Sequence, residues 1–273
     1  MRVLTLNLFG HHRDWPARRP VLADGLRSLA PDVGVFQEAV VGDAHDQVAE
    51  LLGDGYDIHH QPGRSADGSG ASIASRWPMT VVRQEDLHVT EIGDQTGWIG
   101  SLAVVEVAAP EPIGPVLVVH HKPTWQSGAE VERERQALKT ARVVEELAGA
   151  GERRVVLAGD LDATPDAASI RFLTGRQSLD GTSVYYQDSW IAVHGDEPGH
   201  TFTPANAIRS GRWRPRPGRR IDYVMVRCGD HGATLDIVGC DLAFDGAVDG
   251  VWASDHFGVW ADLAPVPISD DPP

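Results

Sequence analysis

The chain has 273 residues, 42% hydrophobic and 23% charged, which is enough apolar material for one large globular core. Its 24 basic and 39 acidic residues leave a formal net charge of −15, and so acidic a balance excludes avid, non-specific coating of a polyanion such as duplex DNA. The two cysteines, Cys228 and Cys240, form no Cys-x-x-Cys pair, which excludes a thiolate zinc site and leaves two free thiols as the simpler reading.

The apolar, β-branched run at 2–8 reads as a buried strand. A helix is expected from about Pro16 to Leu29, because proline is tolerated in a first helical turn and Pro31 stops the helix. Residues 32–40 form a second apolar strand that ends in the polar pair Gln37–Glu38, and 44–52 a short helix. Segments 55–62 and 70–78 are strand-like around a Gly/Ser loop, and further strands follow near 80–89, 98–107 and 114–123. The stretch 127–151 is the clearest helix, with Val131, Ala137, Leu138, Ala141, Val144 and Leu147 at roughly helical spacing and Gly149 and Gly151 at its end. A buried strand at 153–160 leads to a helix at 166–175 that Asp166 would cap. Late strands are expected at 220–227, 233–241 and 256–263.

Strands outnumber helices, which predicts an α/β layered architecture with helices covering two packed sheets. No repeat or composition shift divides the chain, so a single domain over 1–265 is expected, with 266–273 as a disordered tail. The N-terminal apolar run is too short for a secretory signal, and no run approaches the roughly 20 residues that cross a membrane. The expectation is a cytoplasmic monomer that does not insert into membranes.

Several apolar runs end in residues that a core would not choose: Asn7, Gln37–Glu38, His120–His121, Asp160–Asp162, Asp222 and Asp255–His256. One such residue is ordinarily a turn cap. Six interruptions are the pattern expected when strands deliver side chains to one pocket. Asn7, Glu38, Asp160 and Asp255 are oxygen donors, which suits a hard cation such as Mg²⁺ or Mn²⁺. The histidines can serve as acid or base near neutral pH, and an aspartate such as Asp222 can hold one imidazole in its working tautomer. Arg220 and Lys122 lie close by in sequence and are candidates to clamp an anion. Together these describe metal-assisted hydrolysis of a phosphate ester. An EF-hand reading of the loop from Asp160 fails, because its sixth and twelfth positions hold Pro165 and Arg171.

In order, TLNL, FQE, VVHHKP, GDLDATP, RRIDYV and SDHFGV resemble the motifs of the endonuclease/exonuclease/phosphatase superfamily, over residues 3–263. That group includes DNase I-like nucleases, abasic-site endonucleases, inositol polyphosphate 5-phosphatases and neutral sphingomyelinases. The resemblance implies a four-layer α/β/β/α sandwich of two packed mixed sheets flanked by helices. It implies that Glu38 is the principal Mg²⁺ ligand, with Asn7 and Asp255 completing or supporting the metal shell. His256, oriented by Asp222, would be the general base on water, and Asp160 would position the nucleophile or assist proton transfer at the leaving oxygen. His121 is matched to the family histidine at the scissile phosphate, with His120 on the opposite face of the strand. One departure is clear. The family's Gly-Asp-Phe/Leu-Asn is here GDLD, so Asp162 stands where an amide would donate, and an ionised carboxylate cannot donate. A metal-binding role for Asp162 is therefore expected.

Residues 209–220 hold six arginines with Trp213 among them, and lead into the Asp222 strand. Trp213, and His200 in GHTFTP, are candidate substrate contacts near the pocket mouth. The expected activity is Mg²⁺-dependent hydrolysis of a small phosphorylated substrate, monoester or diester. The alternative is a nuclease acting on DNA or RNA, and the reading outside enzymes is a non-catalytic binding protein.

Overall fold

A computed structural model of the chain describes residues 1–43, 45–89, 100–149, 153–209 and 217–267. One sheet takes its strands from the two ends of the sequence: β1 (Arg2–Asn7), β2 (Val33–Gly42), β3 (His45–Asp46), β4 (Asp57–His60), β5 (Ser69–Ser75), β13 (Asp236–Ala243) and β14 (Gly258–Ala264). Its order is β13-β14-β1-β2-β5-β4, with β3 paired to β2. The other takes the middle: β6 (Met79–Asp86), β7 (Ser101–Val107), β8 (Val116–Lys122), β9 (Val155–Asp160), β10 (Tyr186–Asp188), β11 (Asp222–Gly229) and β12 (Gly232–Ala233). Its order is β10-β11-β9-β8-β7-β6, with β12 paired to β11. In each sheet one pair is parallel, β1–β2 and β8–β9, and the remaining pairs are antiparallel, so both sheets are mixed.

Alternation along the strands sorts the apolar side chains into three buried layers. Val3, Val33 and Val35 of the first sheet meet Val118, Val156, Ala158 and Val224 of the second in the central layer. On the outer face of the first sheet, Leu4, Leu6 and Phe36 pack under α1 (Trp15–Leu29) and α2 (Gln47–Leu52). On the outer face of the second, Leu117, Val119 and Leu157 pack under α3 (Glu130–Ala148) and α4 (Ala168–Leu173). A fifth helix, α5 (Ser189–His194), follows β10. This is the expected four-layer α/β/β/α sandwich. Cys228 and Cys240 are free thiols. Among the described residues no helix is long and apolar enough to cross a membrane.

Three local expectations need correction. Val131 does not belong to the apolar stripe of α3: it is 61% exposed, and Ala137, Ala141, Val144 and Ala148 form the buried face instead. Helix α4 starts at Ala168 with Ala167 as an uncapped N-cap. Asp166 therefore caps nothing; its carboxyl takes a hydrogen bond from Thr164, which holds it below the usual carboxylate range. The strand expected from 98 begins at Ser101, its first positions lying outside the described residues, as does most of the tail expected at 266–273.

Candidate active site

The parallel pairs aim the C-terminal ends of β1, β2, β8 and β9 at one rim of the sandwich. Antiparallel β11 brings its first residue, Asp222, opposite Asp160, the last residue of β9. Strand parity then decides which side chains enter the gap between the sheets. On β1, Val3, Thr5 and Asn7 point inward. Asn7 joins the two sheets: its Nδ2 donates to Glu38 Oε1 at 3.0 Å and to Asp160 Oδ2 at 3.1 Å, while its Oδ1 accepts from the Phe9 amide at 2.9 Å.

Glu38 reaches the gap through a fault in its strand. With Val33, Val35 and Gln37 inward, regular alternation would turn Glu38 outward toward α1. The β2–β5 register slips between Phe36 and Ala39, and Glu38 adopts φ 52°. This bulge returns the carboxylate to the inner side, a strained conformation for a non-glycine residue held by the surrounding pairing.

His256 stands at the centre. Its Nδ1 is 3.0 Å from Asp222 Oδ2, and its Nε2 is 4.0 Å from Asp160 Oδ2. The turn carrying it is pinned: Ser254 Oγ donates to the Asn7 carbonyl at 2.6 Å and accepts from the His256 amide at 3.2 Å, and Asn206 Nδ2 donates to the Ser254 carbonyl at 2.7 Å. Phe202 lies 4.7 Å from the imidazole, centroid to centroid, with the Arg209 guanidinium 3.6 Å over the phenyl ring. Burial alone would lower the imidazole pKa, but the carboxylates of Asp222, Asp160 and Asp255 outweigh it and raise it to about 10. Burial pushes Asp222 up, and takes Asp255 up to about 6 with help from Glu38 and Asp160.

Next to this centre, Lys122 Nζ lies 2.6 Å from Asp160 Oδ2 and also bonds Asp162 Oδ2. Asp162, at φ 52°, donates its amide to Asp160 Oδ1 at 3.1 Å. Gly159 is required just before them: a Cβ there would sit 2.1 Å from the His121 carbonyl oxygen on the adjacent strand.

The donor set fits a hard divalent cation. Asp160, Asp222 and His256 offer ligand atoms within 4.8 Å of one another. More telling, Asp222 Oδ1 and Asp255 Oδ1 are buried with no hydrogen-bond partner, a costly state for a carboxylate that a cation would relieve. Glu38 accepts from the Asn7 amide nitrogen in this cluster, and its charge, like that of Asp160, helps raise the Asp255 pKa.

The structure thus gathers Asn7, Glu38, Asp160, Asp162, Asp222, His256 and Lys122 at one rim, with Asp255 beside them in sequence and field. It places the other predicted residues elsewhere. His121 is on the wrong face: inward positions on β8 are even-numbered, so His121 lies under α3 with Nδ1 2.9 Å from Thr140 Oγ1. His120 takes the inner face, its Nδ1 3.4 Å from Ser101 Oγ and its buried Nε2 without a partner. Burial lowers both imidazoles to about 3, so both are neutral. Arg220 is 3% exposed and paired with Asp188 at 2.7 Å, away from the cluster. Lys122 is likewise committed to two carboxylates. His200 is exposed, with its ring against Gly218 rather than in the cluster. Trp213 lies outside the described residues.

Arg18 was not singled out by sequence. Its buried guanidinium donates to the carbonyls of Leu8 (3.0 Å), Phe9 (3.4 Å), Gly10 (2.7 Å) and Ala253 (2.8 Å), tying the loop after β1 to the turn that carries Asp255 and His256. The signal was present: Arg18, Leu22 and Leu26 recur every four residues, which puts an arginine on the apolar stripe of α1.

The two-sheet sandwich is a DNase I-like fold. The chain matches the Endonuclease/Exonuclease/phosphatase family over residues 4–256, and it belongs to that family of phosphoesterase-type hydrolases. No curated protein matches it in sequence. Among solved structures, truncated Caenorhabditis elegans TDP2 superposes with a TM-score of 0.74 at 18% identity, covering 96% of this chain and 97% of that one. D. rerio TDP2 complexed with a single-strand DNA product gives 0.68 at 20% identity, covering 96% and 97%. The human Nocturnin catalytic domain with bound sulfate gives 0.69 at 16% identity, covering 97% and 94%.

Proposed function

We propose that this protein is a Mg²⁺- or Mn²⁺-dependent hydrolase of a small phosphorylated substrate, with His256 and Asp222 handling the proton of the attacking water. One observation carries the reading: a buried His256–Asp222 pair faces Asp160 beside buried carboxylate oxygens on Asp222 and Asp255 that have no partner. A divalent ion at Glu38, Asn7 and Asp255 would supply Lewis-acid stabilisation of charge on the phosphoryl group.

The chain's own groups supply the rest. Asp222 accepts from Nδ1, which leaves Nε2 as the nitrogen that exchanges a proton with water. The carboxylates hold the imidazole protonated; a cation held beside Asp255 would oppose that field and so favour the neutral imidazole, whose Nε2 can act as a base. Asp160, fixed by Lys122 and Asn7, keeps its charge and orients the water. Neutral His120, not His121, lies on the inner face of β8, where its buried Nε2 has no partner and it backs the Lys122 side of the site.

A second reading, cleavage at the end of a single-stranded nucleic acid, draws support from the D. rerio TDP2 complex and from Arg209 and Arg219 stacked on Phe202 next to His256. The net charge of −15 weighs against long duplex substrates. Turnover of bis-p-nitrophenyl phosphate, p-nitrophenyl phosphate and a panel of phosphorylated metabolites and oligonucleotides, with Mg²⁺ and with EDTA, tests both, with His256→Ala as control. A metal-loaded protein that turns over none of them refutes the catalytic reading.

A further inference from the structure

The GDLD departure and the placement of Lys122 explain each other. We propose that the Lys122 ammonium is the resident second cation of this site: it holds the place that a second divalent ion would take between Asp160 and Asp162, and the protein works with one external ion, on the Glu38–Asp255 side. The proposal rests on the phosphoesterase reading and specifies its metal stoichiometry.

Paired metal sites in phosphoryl-transfer enzymes place two ions about 3.5–4 Å apart, commonly clamping the two oxygens of the displacement. Here both oxygens of the bridging carboxylate, Asp160, already accept hydrogen bonds. Oδ2 receives Lys122 Nζ at 2.6 Å and Asn7 Nδ2 at 3.1 Å, and Oδ1 receives the Asp162 amide at 3.1 Å. Asp162 Oδ2 is held by the same ammonium. Side-chain exposures of 4% for Lys122, 1% for Asp160 and 10% for Asp162 leave no room for the waters that Mg²⁺ retains. Ejecting that ammonium would strand two buried carboxylates. Asp222 Oδ1 and Asp255 Oδ1, by contrast, have no hydrogen-bond partner.

Charge balance accounts for the residue change. With asparagine at position 162, Lys122 would face one carboxylate; with Asp162 it faces two, as a divalent ion in that position would. Asp162 is therefore a counter-charge for Lys122 rather than the metal ligand expected from the sequence.

The test is Mn²⁺ stoichiometry, measured by equilibrium dialysis and electron paramagnetic resonance on the full chain. The wild type should bind one Mn²⁺. Lys122→Met should bind two, and adding Asp162→Asn should return it to one. Should Lys122→Met fail to fold, the wild type and Asp162→Asn decide: each should hold one ion, with affinities within about threefold. Two ions on the wild type, or one on a folded Lys122→Met, overturns the proposal. An active hydrolase with two ions refutes this inference alone, whereas one bound ion without phosphoesterase activity refutes only the function it rests on.

Discussion

Asp222 Oδ2 sits 3.0 Å from His256 Nδ1, with the two side chains 0% and 7% exposed. A buried pair at that distance fixes both the tautomer and the tilt of the ring. Asp222→Asn keeps the shape but offers an amide whose orientation does not dictate which nitrogen carries the proton. We expect kcat to fall by roughly 10²–10⁴-fold with KM changed only a few-fold. Steady-state kinetics on the best substrate checks this. A loss confined to KM would remove Asp222 from the proton-handling role.

The same field couples the site to pH. In the metal-free protein His256 is raised to about 10, so its contribution to stability is complete below its unfolded value of about 6.5 and is lost as pH rises through 10. Asp255, raised to about 6, acts in the same sense at lower pH, because ionising it costs the folded state free energy above its unfolded value. Thermal melts in EDTA should show Tm falling between pH 6.5 and 10, and His256→Asn should flatten that slope. A Tm that rises over this window would contradict the sign.

Asp255 also tests the cation. Its buried Oδ1 lacks a partner, so replacing the carboxylate by an amide removes an unfavourable charge. Asp255→Asn should stabilise the metal-free protein by on the order of 1–2 kcal/mol and weaken Mg²⁺ binding at least tenfold. Calorimetry with and without Mg²⁺ measures both. Destabilisation in EDTA together with unchanged ion affinity would show that Asp255 is a structural carboxylate.

Arg18 ties two active-site loops through four carbonyls, of Leu8, Phe9, Gly10 and Ala253. Arg18→Met keeps much of the stem but leaves those carbonyls buried without donors. The cost should be about 2–4 kcal/mol, read as a lower urea midpoint at unchanged m. Activity should fall with stability, because the Ala253 carbonyl lies two residues from Asp255. Full stability in Arg18→Met would mean that water replaces the guanidinium.

What was legible in the sequence, and what was not, divides along physical lines. The sandwich was readable because buried strands announce themselves by apolar runs, and the charged residues at their ends had no use for a core. Glu38 was picked out as a polar residue at a strand end, but its inward position depends on a bulge, and parity over residues 33–38 would have turned it outward. The pairing of Asp162 with Lys122 was not legible, because Lys122 is forty residues away and the two meet through the β8–β9 pairing. Val131 lies inside α3 but off the angular stripe set by Ala137, Ala141, Val144 and Ala148, and Asp166 lies two residues before α4 begins, so it misses the N-cap position.

The adjacent histidines give the clearest separation of face from motif. His120 and His121 are consecutive on β8, so one must point between the sheets and the other under α3. His121 bonds Thr140 at 2.9 Å on the helical side, and His120 shares the inner face with Lys122. His120→Ala should therefore lower kcat of the folded protein by about 10–100-fold, and it should also lower Tm, because loss of the buried ring leaves a cavity and an unpaired Ser101 hydroxyl. His121→Ala should affect stability alone: it opens a cavity under α3 and orphans the Thr140 hydroxyl, costing roughly 2–3 kcal/mol while the remaining folded protein keeps kcat within a few-fold. Kinetics normalised to folded fraction, alongside melts of both variants, reads the two effects independently. If His121→Ala abolishes turnover in folded protein and His120→Ala does not, then β8 presents its odd face to the substrate, and the inward assignment of Lys122 falls with it.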